Sequence, residues 1–366
     1  MKVVHISVSR QFSYGQLSQL KYEYNAAQTL EGHQWVTVGY HVGPSVDGFI
    51  KKIPFIFRGM FLRNLYGWLV AVRLSRSHDL VLMRHMTFDP FALIFARVIK
   101  NRVSIHHSKE VEELKVIRPG WKGRLASVLE RFCAKVSVCN AQMILGVTEE
   151  ISEYERLTYC IGKNTGVYSN GIELSSIDIL ADRRDPVEIN VAFICGTFSN
   201  WHGLDRLFRA FEEGFVSASD PKIRVHLIGR LLEDQVDAIK KSERLSEMFV
   251  CHGLLDRADY YPILEKCDYG ITSLALERKS LREASTLKVR EMLALGLPVF
   301  SGHIDVALPR SREWVKVVNS VCLSDLISFG VRVKKVSRNC VREESAELID
   351  KKEIMKKTLG LLDGAV

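Results

Sequence analysis

Short apolar runs with the length of β-strands alternate along this chain with longer segments of helical pattern, which limits the fold to a few possibilities. The expected strands lie near 3–8, 35–42, 80–84, 103–107 and 143–147, and near 190–195, 223–228, 248–251, 269–273, 298–301 and 314–318. Strands separated by helical segments are typical of parallel sheets. Two such sets predict an α/β protein with two Rossmann-like, doubly wound domains facing a cleft, and ligands bound at the carboxyl ends of the strands.

The length of 366 residues suits two domains, each with its own core. A charged linker at 179–186 predicts an N-terminal domain over 1–178 and a C-terminal domain over 187–340. The remaining segment, 341–366, has a helical pattern that we expect to run continuously from 343 to 362.

The eight cysteines are scattered, without zinc-site or CxxC spacing, which favours free thiols in a reducing compartment. We see neither a signal peptide nor an apolar run long enough to span a bilayer. The expected location is therefore the cytoplasm, or a peripheral position on the inner face of a membrane.

The net charge of +8 lies in the first half of the chain. Residues 1–173 contain 22 Lys and Arg but 14 Asp and Glu, whereas 174–366 are balanced. In the segment 51–76, basic residues alternate with aromatic ones, a pattern that fits an anionic membrane surface. The alternative is a linker and a core helix whose arginines extend to solvent. No nucleic-acid recognition motif accompanies the charge, so we expect no nucleic-acid partner.

The segment 277–300 contains two carboxylates, Glu283 and Glu291, eight residues apart. Ser285 and Thr286 between them are favourable first residues for a helix, and the Gly296-Leu297-Pro298 run is a typical helix end. Glu283 should then lie in a loop before the helix, with Glu291 two turns inside it. Backbone donors, a cation and carboxylates at a helix N-terminus suit a ligand that has both phosphate and hydroxyl groups.

This segment resembles the E-x7-E signature of the retaining, nucleotide-sugar-dependent glycosyltransferases of family 4, which have the GT-B fold. The segments 196–205, 147–151 and 169–172 resemble other conserved parts of that family, so the resemblance covers most of the chain. It implies an acceptor-side N-terminal domain, a nucleotide-sugar-binding C-terminal domain, and a final helix that packs back on the first domain.

In the family, the position of Glu291 binds the ribose hydroxyls, and that of Glu283 faces the donor sugar. The alternative for Glu291 is an exposed helical residue paired with Lys288. We expect the backbone N–H groups of Thr286 and Leu287 and the side chains of Lys288 and Arg230 to bind the diphosphate, without a metal or other cofactor.

The chain also departs from the family pattern. The turn from Gly196 to Gly203 is expected to offer backbone N–H groups to the diphosphate, as the phosphate loop of the family does. The Arg and Lys that the family usually has there are replaced by Thr197 and His202, so Lys288 and Arg230 are either the nearest replacements or surface cations.

The first loop, 9–16, has one glycine, Gly15, where the family has a pair. Arg10 compensates by binding phosphate, or the loop serves a different acceptor.

Two histidines, His106 and His107, end an expected strand. The family has a histidine there that contacts the donor sugar. The register matches His106, with His107 as the alternate, because successive strand residues face opposite sides. A purely structural histidine is the other interpretation.

We therefore expect a retaining transfer of a hexose-type sugar from a nucleotide-sugar to a glycan or lipid-linked glycan, as in lipopolysaccharide or capsule synthesis. One alternative is a nucleotide-sugar 2-epimerase of the same fold. The other is a catalytically silent nucleotide-sugar-binding or membrane-associated protein.

Overall fold

The computed structural model describes residues 1–46, 48–117, 120–215, 217 and 220–364. The chain forms two compact units. The first comprises Met1–Glu173 together with Asp350–Val366, and the second comprises Leu174–Ile349. Among the described residues, none of the helices combines the length and the apolar character needed to cross a membrane.

The first unit contains a parallel sheet covered by helices. Its strands are β1 (Lys2–Val8), β2 (Gln34–His41), β3 (Ile50–Lys52), β4 (Leu80–Arg84), β5 (Arg102–His106), β6 (Met143–Gly146) and β7 (Thr165–Val167). Its helices before the second unit are α1 (Tyr14–Ala27), α2 (Met60–Ser75), α3 (Ala92–Phe95), α4 (Glu110–Ile117), α5 (Trp121–Cys139) and α6 (Glu149–Tyr159). The strand order is β3-β2-β1-β4-β5-β6-β7, so the chain changes direction between β1 and β4. Ligands collect at such a switch point, beyond the carboxyl ends of the strands.

The second unit repeats this plan around a sheet with the order β10-β9-β8-β11-β12-β13. Its strands are β8 (Ile189–Thr197), β9 (Ile223–Arg230), β10 (Phe249–Gly253), β11 (Tyr269–Ile271), β12 (Val299–Ser301) and β13 (Val315–Val317). Its helices are α7 (Leu204–Glu213), α8 (Glu233–Lys241), α9 (Glu243–Met248), α10 (Arg257–Leu264), α11 (Leu287–Ala294), α12 (Leu323–Val333) and α13 (Arg338–Ile349). The switch point here lies between β8 and β11.

Every expected strand is present, and neighbouring strands of both sheets pair in parallel over the described residues. The sequence missed β3 and β7, each of which is a three-residue strand at one edge of the first sheet. Three residues are too few for a periodic apolar pattern.

The expectation of one continuous helix at the end of the chain is wrong. Asp350 separates α13 from α14 (Lys351–Asp363), and its side chain accepts from the backbone N–H of Lys352 at 2.8 Å, as an N-cap does. The apolar face of α14 packs into the core of the first unit through Ile354, Met355, Leu359 and Leu362.

The unit boundaries also differ from the expected positions 178, 187 and 341. The segment 179–186 belongs to the second unit, where the backbone N–H of Leu180 donates to the carbonyl of Leu295 at 3.2 Å. The returning segment begins at Asp350, because α13 remains packed on α11.

Candidate functional site

Helix α11 begins and ends where the sequence indicated. Thr286 is its N-cap, and the Thr286 side chain accepts from the backbone N–H of Val289 at 3.4 Å. After the helix, Gly296 has a φ of 78°, a left-handed conformation that favours glycine. Residues 289–294 are all buried. The N-terminus of α11 is therefore held rigidly at the carboxyl edge of the second sheet.

Glu291 lies on the buried part of α11, and its ion-pair partner is Arg257, not Lys288. Three groups from α10 contact one oxygen of this carboxylate. The hydroxyls of Tyr260 and Tyr261 donate to Oε1 at 2.9 and 3.1 Å, and the Nε of Arg257 lies 2.8 Å from Oε1. The other oxygen, Oε2, receives none of these contacts. Glu291 is therefore fixed in position while half of its hydrogen-bonding capacity remains.

The loop after β8 forms a tight turn before α7. Gly203 has a φ of 72°, and a Cβ at this position would lie 2.9 Å from the Cβ of Leu274, so only glycine fits. A Cβ at Gly196 would meet nothing within 4 Å. Gly196 and Thr197 are both exposed. The backbone there is open to a ligand approaching the end of β8.

His202 has a fixed tautomer in this loop. Its Nδ1 accepts from the backbone N–H of Ser199 at 2.9 Å, so a neutral ring has its proton on Nε2. Burial, with Lys288 and Lys279 nearby, lowers the pKa of His202 to about 4. His202 is therefore a neutral hydrogen-bond donor at physiological pH.

Lys288 places a cation beside the end of β8, where this loop begins, and Arg278 donates to the carbonyl of Asn200 within the loop at 2.7 Å. The Nζ of Lys288 donates to the carbonyl of Ile194, near the end of β8, at 2.6 Å, and burial lowers the pKa of the amine. Arg230 follows Gly229 at the end of β9, where its side chain is exposed. The structure thus brings Lys288 to His202 and the switch point, and places Arg230 on the neighbouring strand.

Glu283 lies in the loop before α11, half-buried. The loop runs beside the segment that follows β12, because the backbone N–H of Ala284 donates to the carbonyl of Ile304 and that of Ile304 donates to the carbonyl of Arg282, both at 3.0 Å. Backbone bonds therefore hold Glu283 at the carboxyl edge of the same sheet as Glu291.

In the first unit, the two histidines after β5 have different environments. His106 is wholly buried. Its ring nitrogens are hydrogen-bonded to Ser104 at 2.9 Å and to Glu110 at 3.3 Å, and its ring stacks on that of His85. Burial lowers the pKa of His106 despite the nearby Glu110. These contacts favour a structural role for His106, whereas the sequence analysis preferred His106 over His107 as the histidine that contacts the sugar.

His107 is half-buried and lines a cavity of about 20 Å³ at the carboxyl edge of the first sheet. The cavity is also lined by Ser7, Arg84, Asn170 and Lys351. Burial, and then the positive charge of Arg84, lower the pKa of His107 well below its ordinary value. The cavity holds about one water molecule. Its lining combines a neutral imidazole with Arg84, Lys351 and the carboxylate of Glu23, so it is polar and of mixed charge.

The two remaining candidates, Arg10 and Gly15, are close in sequence but differ in their structural settings. Arg10 is exposed. The pKa of Arg63 is lowered mainly by burial and, to a smaller extent, by the positive charge of Arg10. Gly15 lies in the first turn of α1 instead of in the loop, since Ser13 caps that helix in a reciprocal pair with Gln16. The loop is therefore shorter than the sequence indicated.

One group of described residues has the composition of a metal site. The ligand atoms of His106, Glu110 and Glu155 all lie within 4.8 Å of one another. Burial and the proximity of Glu110 raise the pKa of Glu155 well above its ordinary value. As described, the group is a buried cluster of one imidazole and two carboxyl groups joined by hydrogen bonds.

No family model matches the chain, and none of the curated proteins matches it in sequence. Solved structures are similar over the whole length of both chains. The sucrose-phosphate synthase of Thermosynechococcus elongatus has a TM-score of 0.65 at 14% identity, with 100% of each chain covered. The lipopolysaccharide outer core galactosyltransferase WaaB has a TM-score of 0.63 at 12% identity, again with 100% of each covered.

A third similar structure is Anabaena Alr3699/HepE in complex with UDP and glucose, with a TM-score of 0.58, 13% identity and 100% of each chain covered. These neighbours are GT-B glycosyltransferases. The chain therefore has the GT-B fold, with two Rossmann-like domains built on parallel sheets.

Sequence reasoning missed several residues around the candidate positions. They are Arg257, Tyr260 and Tyr261 around Glu291, and Arg84 and Lys351 around His107. The Tyr260-Tyr261 pair was visible, but nothing local joins it to a carboxylate thirty positions away. Arg84 ends an expected strand, so its place at the carboxyl edge is the one signal that was available.

Proposed function

We propose that this protein is a retaining glycosyltransferase of the family 4 type, which moves a hexose-type sugar from a nucleotide-sugar to a glycan or lipid-linked glycan. The observation that carries the proposal is Glu291. Its Oε1 is fixed by Arg257, Tyr260 and Tyr261, while Oε2 is left to accept from hydroxyl groups such as those of a ribose. The adjacent open backbone at Gly196 supports a diphosphate beside it.

The reaction breaks the bond between the anomeric carbon and the diphosphate, and joins that carbon to an acceptor oxygen on the same face of the sugar. The acceptor proton passes to an oxygen of the departing diphosphate. The protein then mainly positions the reactants and stabilises negative charge on the leaving group. Backbone N–H groups of Thr286 and Leu287, the Nε2–H of His202, and the charges of Lys288 and Arg230 supply this stabilisation without a metal.

The replacement of two cations by Thr197 and His202 has a physical consequence. A neutral Nε2–H donates a hydrogen bond but adds no charge, so more of the charge stabilisation falls to Lys288. The contact of Lys288 with the carbonyl of Ile194 holds its amine beside the open end of β8. Affinity for the diphosphate should therefore depend strongly on Lys288.

Two further groups are assigned to the sugar and the acceptor. Glu283 accepts hydrogen bonds from hydroxyls of the donor sugar, because the backbone bonds of its loop place it beyond β12. His107 replaces His106 in the proposal, since His107 borders a cavity whereas the ring of His106 is wholly buried and hydrogen-bonded through both nitrogens. Neutral His107 can donate to or accept from an acceptor hydroxyl, with Arg84 beside it.

A direct test starts with calorimetric titration of a panel of nucleotide-sugars, beginning with uridine diphosphate sugars because HepE was solved with UDP. The preferred donor is then incubated with oligosaccharide and lipid-linked acceptors, and the product is analysed by NMR. Retention of the anomeric configuration of the donor supports the proposal. An inverted product contradicts the retaining mechanism, a 2-epimer formed without acceptor indicates the epimerase, and binding without turnover across all acceptors indicates the silent protein.

A further inference from the structure

Helix α5 turns its largest apolar side chains toward solvent. The exposed fractions are 70% for Trp121, 52% for Leu125, 63% for Val128, 42% for Leu129 and 63% for Phe132. These positions follow the i, i+4, i+7, i+8, i+11 spacing of a single helical stripe. A stripe of this kind normally packs on a core. Here the core-facing positions are taken by small residues such as Ala126, Ser127 and Ala134.

The charges on the exposed face of α5 have one sign. Arg124, Arg131 and Lys135 are exposed beside the apolar stripe. The acidic residue of the helix, Glu130, is buried and bonded to His85 at 2.7 Å. Among the described side chains of α5, the exposed face thus combines apolar groups with cations and has no carboxylate.

A second exposed apolar segment lies next to this helix. Phe55 and Ile56, in the basic segment 51–76, are 79% and 69% exposed, and three consecutive residues at the start of α2 are also exposed. The ring of Phe61 in α2 lies 6.2 Å from that of Phe88, whose backbone N–H donates to Glu130 of α5. Glu130 is buried, so these contacts bring the start of α2 close to the core-facing side of α5.

We propose that the exposed face of α5 is a docking surface for the anionic face of a lipid bilayer, with the basic segment 51–76 as a second contact. Apolar side chains that enter the acyl boundary, flanked by Lys and Arg that attract anionic headgroups, are the features of a helix lying in the membrane interface. A second copy of the chain fits less well. A two-fold interface through α5 would bring Arg124, Arg131 and Lys135 against the same cations, and like charges oppose association.

Membrane docking does not depend on the proposed glycosyl transfer. If both hold, the docking surface indicates which class of acceptor the enzyme uses. A chain held at the bilayer surface meets lipid-linked acceptors in two dimensions, which raises their effective concentration. The membrane therefore favours the lipid-linked member of the two proposed acceptor classes.

Trp121 provides a direct probe. Trp35, Trp68 and Trp314 are buried and Trp201 is half-buried, so Trp121 dominates any change in emission at the surface. Vesicles of phosphatidylcholine with phosphatidylglycerol should shift this emission to the blue, brominated acyl chains should quench it, and rising salt should reverse both effects. The same emission on pure phosphatidylcholine and on anionic vesicles would contradict the proposal.

Two variants separate the contribution of the positive charges to vesicle binding from that of the apolar side chains. Arg124→Gln/Arg131→Gln/Lys135→Gln should lower partitioning onto anionic vesicles on the order of 100-fold, since each cation near an anionic surface contributes a factor of about five. Val128→Ser/Phe132→Ser should lower binding at low salt and also at high salt.

The matched control is Leu254→Ser in the second unit, where Leu254 is 67% exposed, and its partitioning should equal that of the wild type. Unchanged binding by both α5 variants overturns the proposal. So does a wild-type dimer in sedimentation that the serine variant converts to monomer, because that result assigns the stripe to self-association. Glu291→Gln should bind vesicles like the wild type, so a failed transfer assay and a failed vesicle assay remain distinguishable.

Discussion

Each unit contains a buried carboxylate held by tyrosine and a basic side chain, and the two differ in how many of their oxygens are used. In the first unit, Glu23 accepts through both oxygens. His5, Trp35 and Thr37 contact its Oε1 at 2.7–3.0 Å, and the hydroxyl of Tyr168 donates to its Oε2 at 2.7 Å. In the second unit, all the contacts of Glu291 described above reach Oε1.

This difference separates a structural carboxylate from a ligand-binding one. A carboxylate whose oxygens are all occupied has no capacity left for a ligand, and it stabilises the fold. A carboxylate that is fixed through one oxygen presents the other in a defined position, which is what recognition of a hydroxyl pair requires. Variants of Glu23 should therefore affect stability, and variants of Glu291 should affect binding.

The largest expected effect is on stability. Glu23→Ala leaves the basic groups His5 and Lys351 buried without their carboxylate, and removing one partner of a buried pair costs about 3–5 kcal/mol. Urea denaturation at pH 7 should show this loss as a lower midpoint with an unchanged slope. A midpoint equal to that of the wild type would remove Glu23 from its structural role.

The pH dependence of stability offers a check on the same residue. Burial alone would raise the pKa of Glu23, but His5, Lys351 and Tyr168 together lower it below its ordinary value of 4.5. The stabilisation is then complete above about pH 4.5 and is lost as the pH falls below it, because the unfolded chain takes up the proton first. Glu23→Gln should flatten this part of the stability curve.

The second effect concerns nucleotide affinity. Glu291→Gln keeps the shape of the side chain and one oxygen for Tyr260 and Tyr261, but replaces the charged acceptor for the ligand by an amide. We expect a loss of about 2 kcal/mol in nucleotide binding by calorimetry, as for a hydrogen bond to a charged group. The melting temperature should change little. Wild-type affinity in this variant would refute the ribose assignment.

The fold was predictable from the sequence to a large extent, and the reason is local. Buried parallel strands are continuous apolar runs, so β1, β4 and β8 could be located within one or two residues. The break at Asp350 was not predictable, since a helical pattern continues on both sides of it. It depends on α14 packing against the first unit, which is a contact between distant parts of the chain.

The residues of the candidate sites also divide into those that local sequence signals could locate and those that depend on packing. The start of α11 at Thr286 and its end at Gly296 follow local capping rules, so the positions of Glu283 and Glu291 could be anticipated. The choice between His106 and His107 could not, because it depends on which side of β5 is covered. Glu110 of α4 contacts His106, and only the packing of α4 makes that residue structural.

The third effect tests this choice between the histidines. His107→Ala should lower turnover about tenfold, as for the loss of one hydrogen bond of about 1.4 kcal/mol to the acceptor, with little change in melting temperature. His106→Ala should mainly lower stability, since it leaves Ser104 and Glu110 without their partner. Steady-state kinetics and thermal melts of both variants give the answer, and the reverse assignment of the two effects would restore the register expected from the sequence.

The smallest effect concerns His202 and the pH dependence of donor binding. In the free protein the pKa of His202 is lowered to about 4, so the ring is neutral between pH 6 and 8. A bound diphosphate adds negative charge beside the ring and raises this pKa, so affinity should increase as the pH falls toward the raised value. A nucleotide-sugar, whose diphosphate has no proton to lose near neutrality, isolates this contribution in calorimetry. We expect affinity to change less than about threefold from pH 8 to pH 6 and to rise below pH 6.

His202→Gln, which keeps a neutral donor, should remove the rise. A steep increase already between pH 8 and 7 would mean that His202 binds phosphate as a cation.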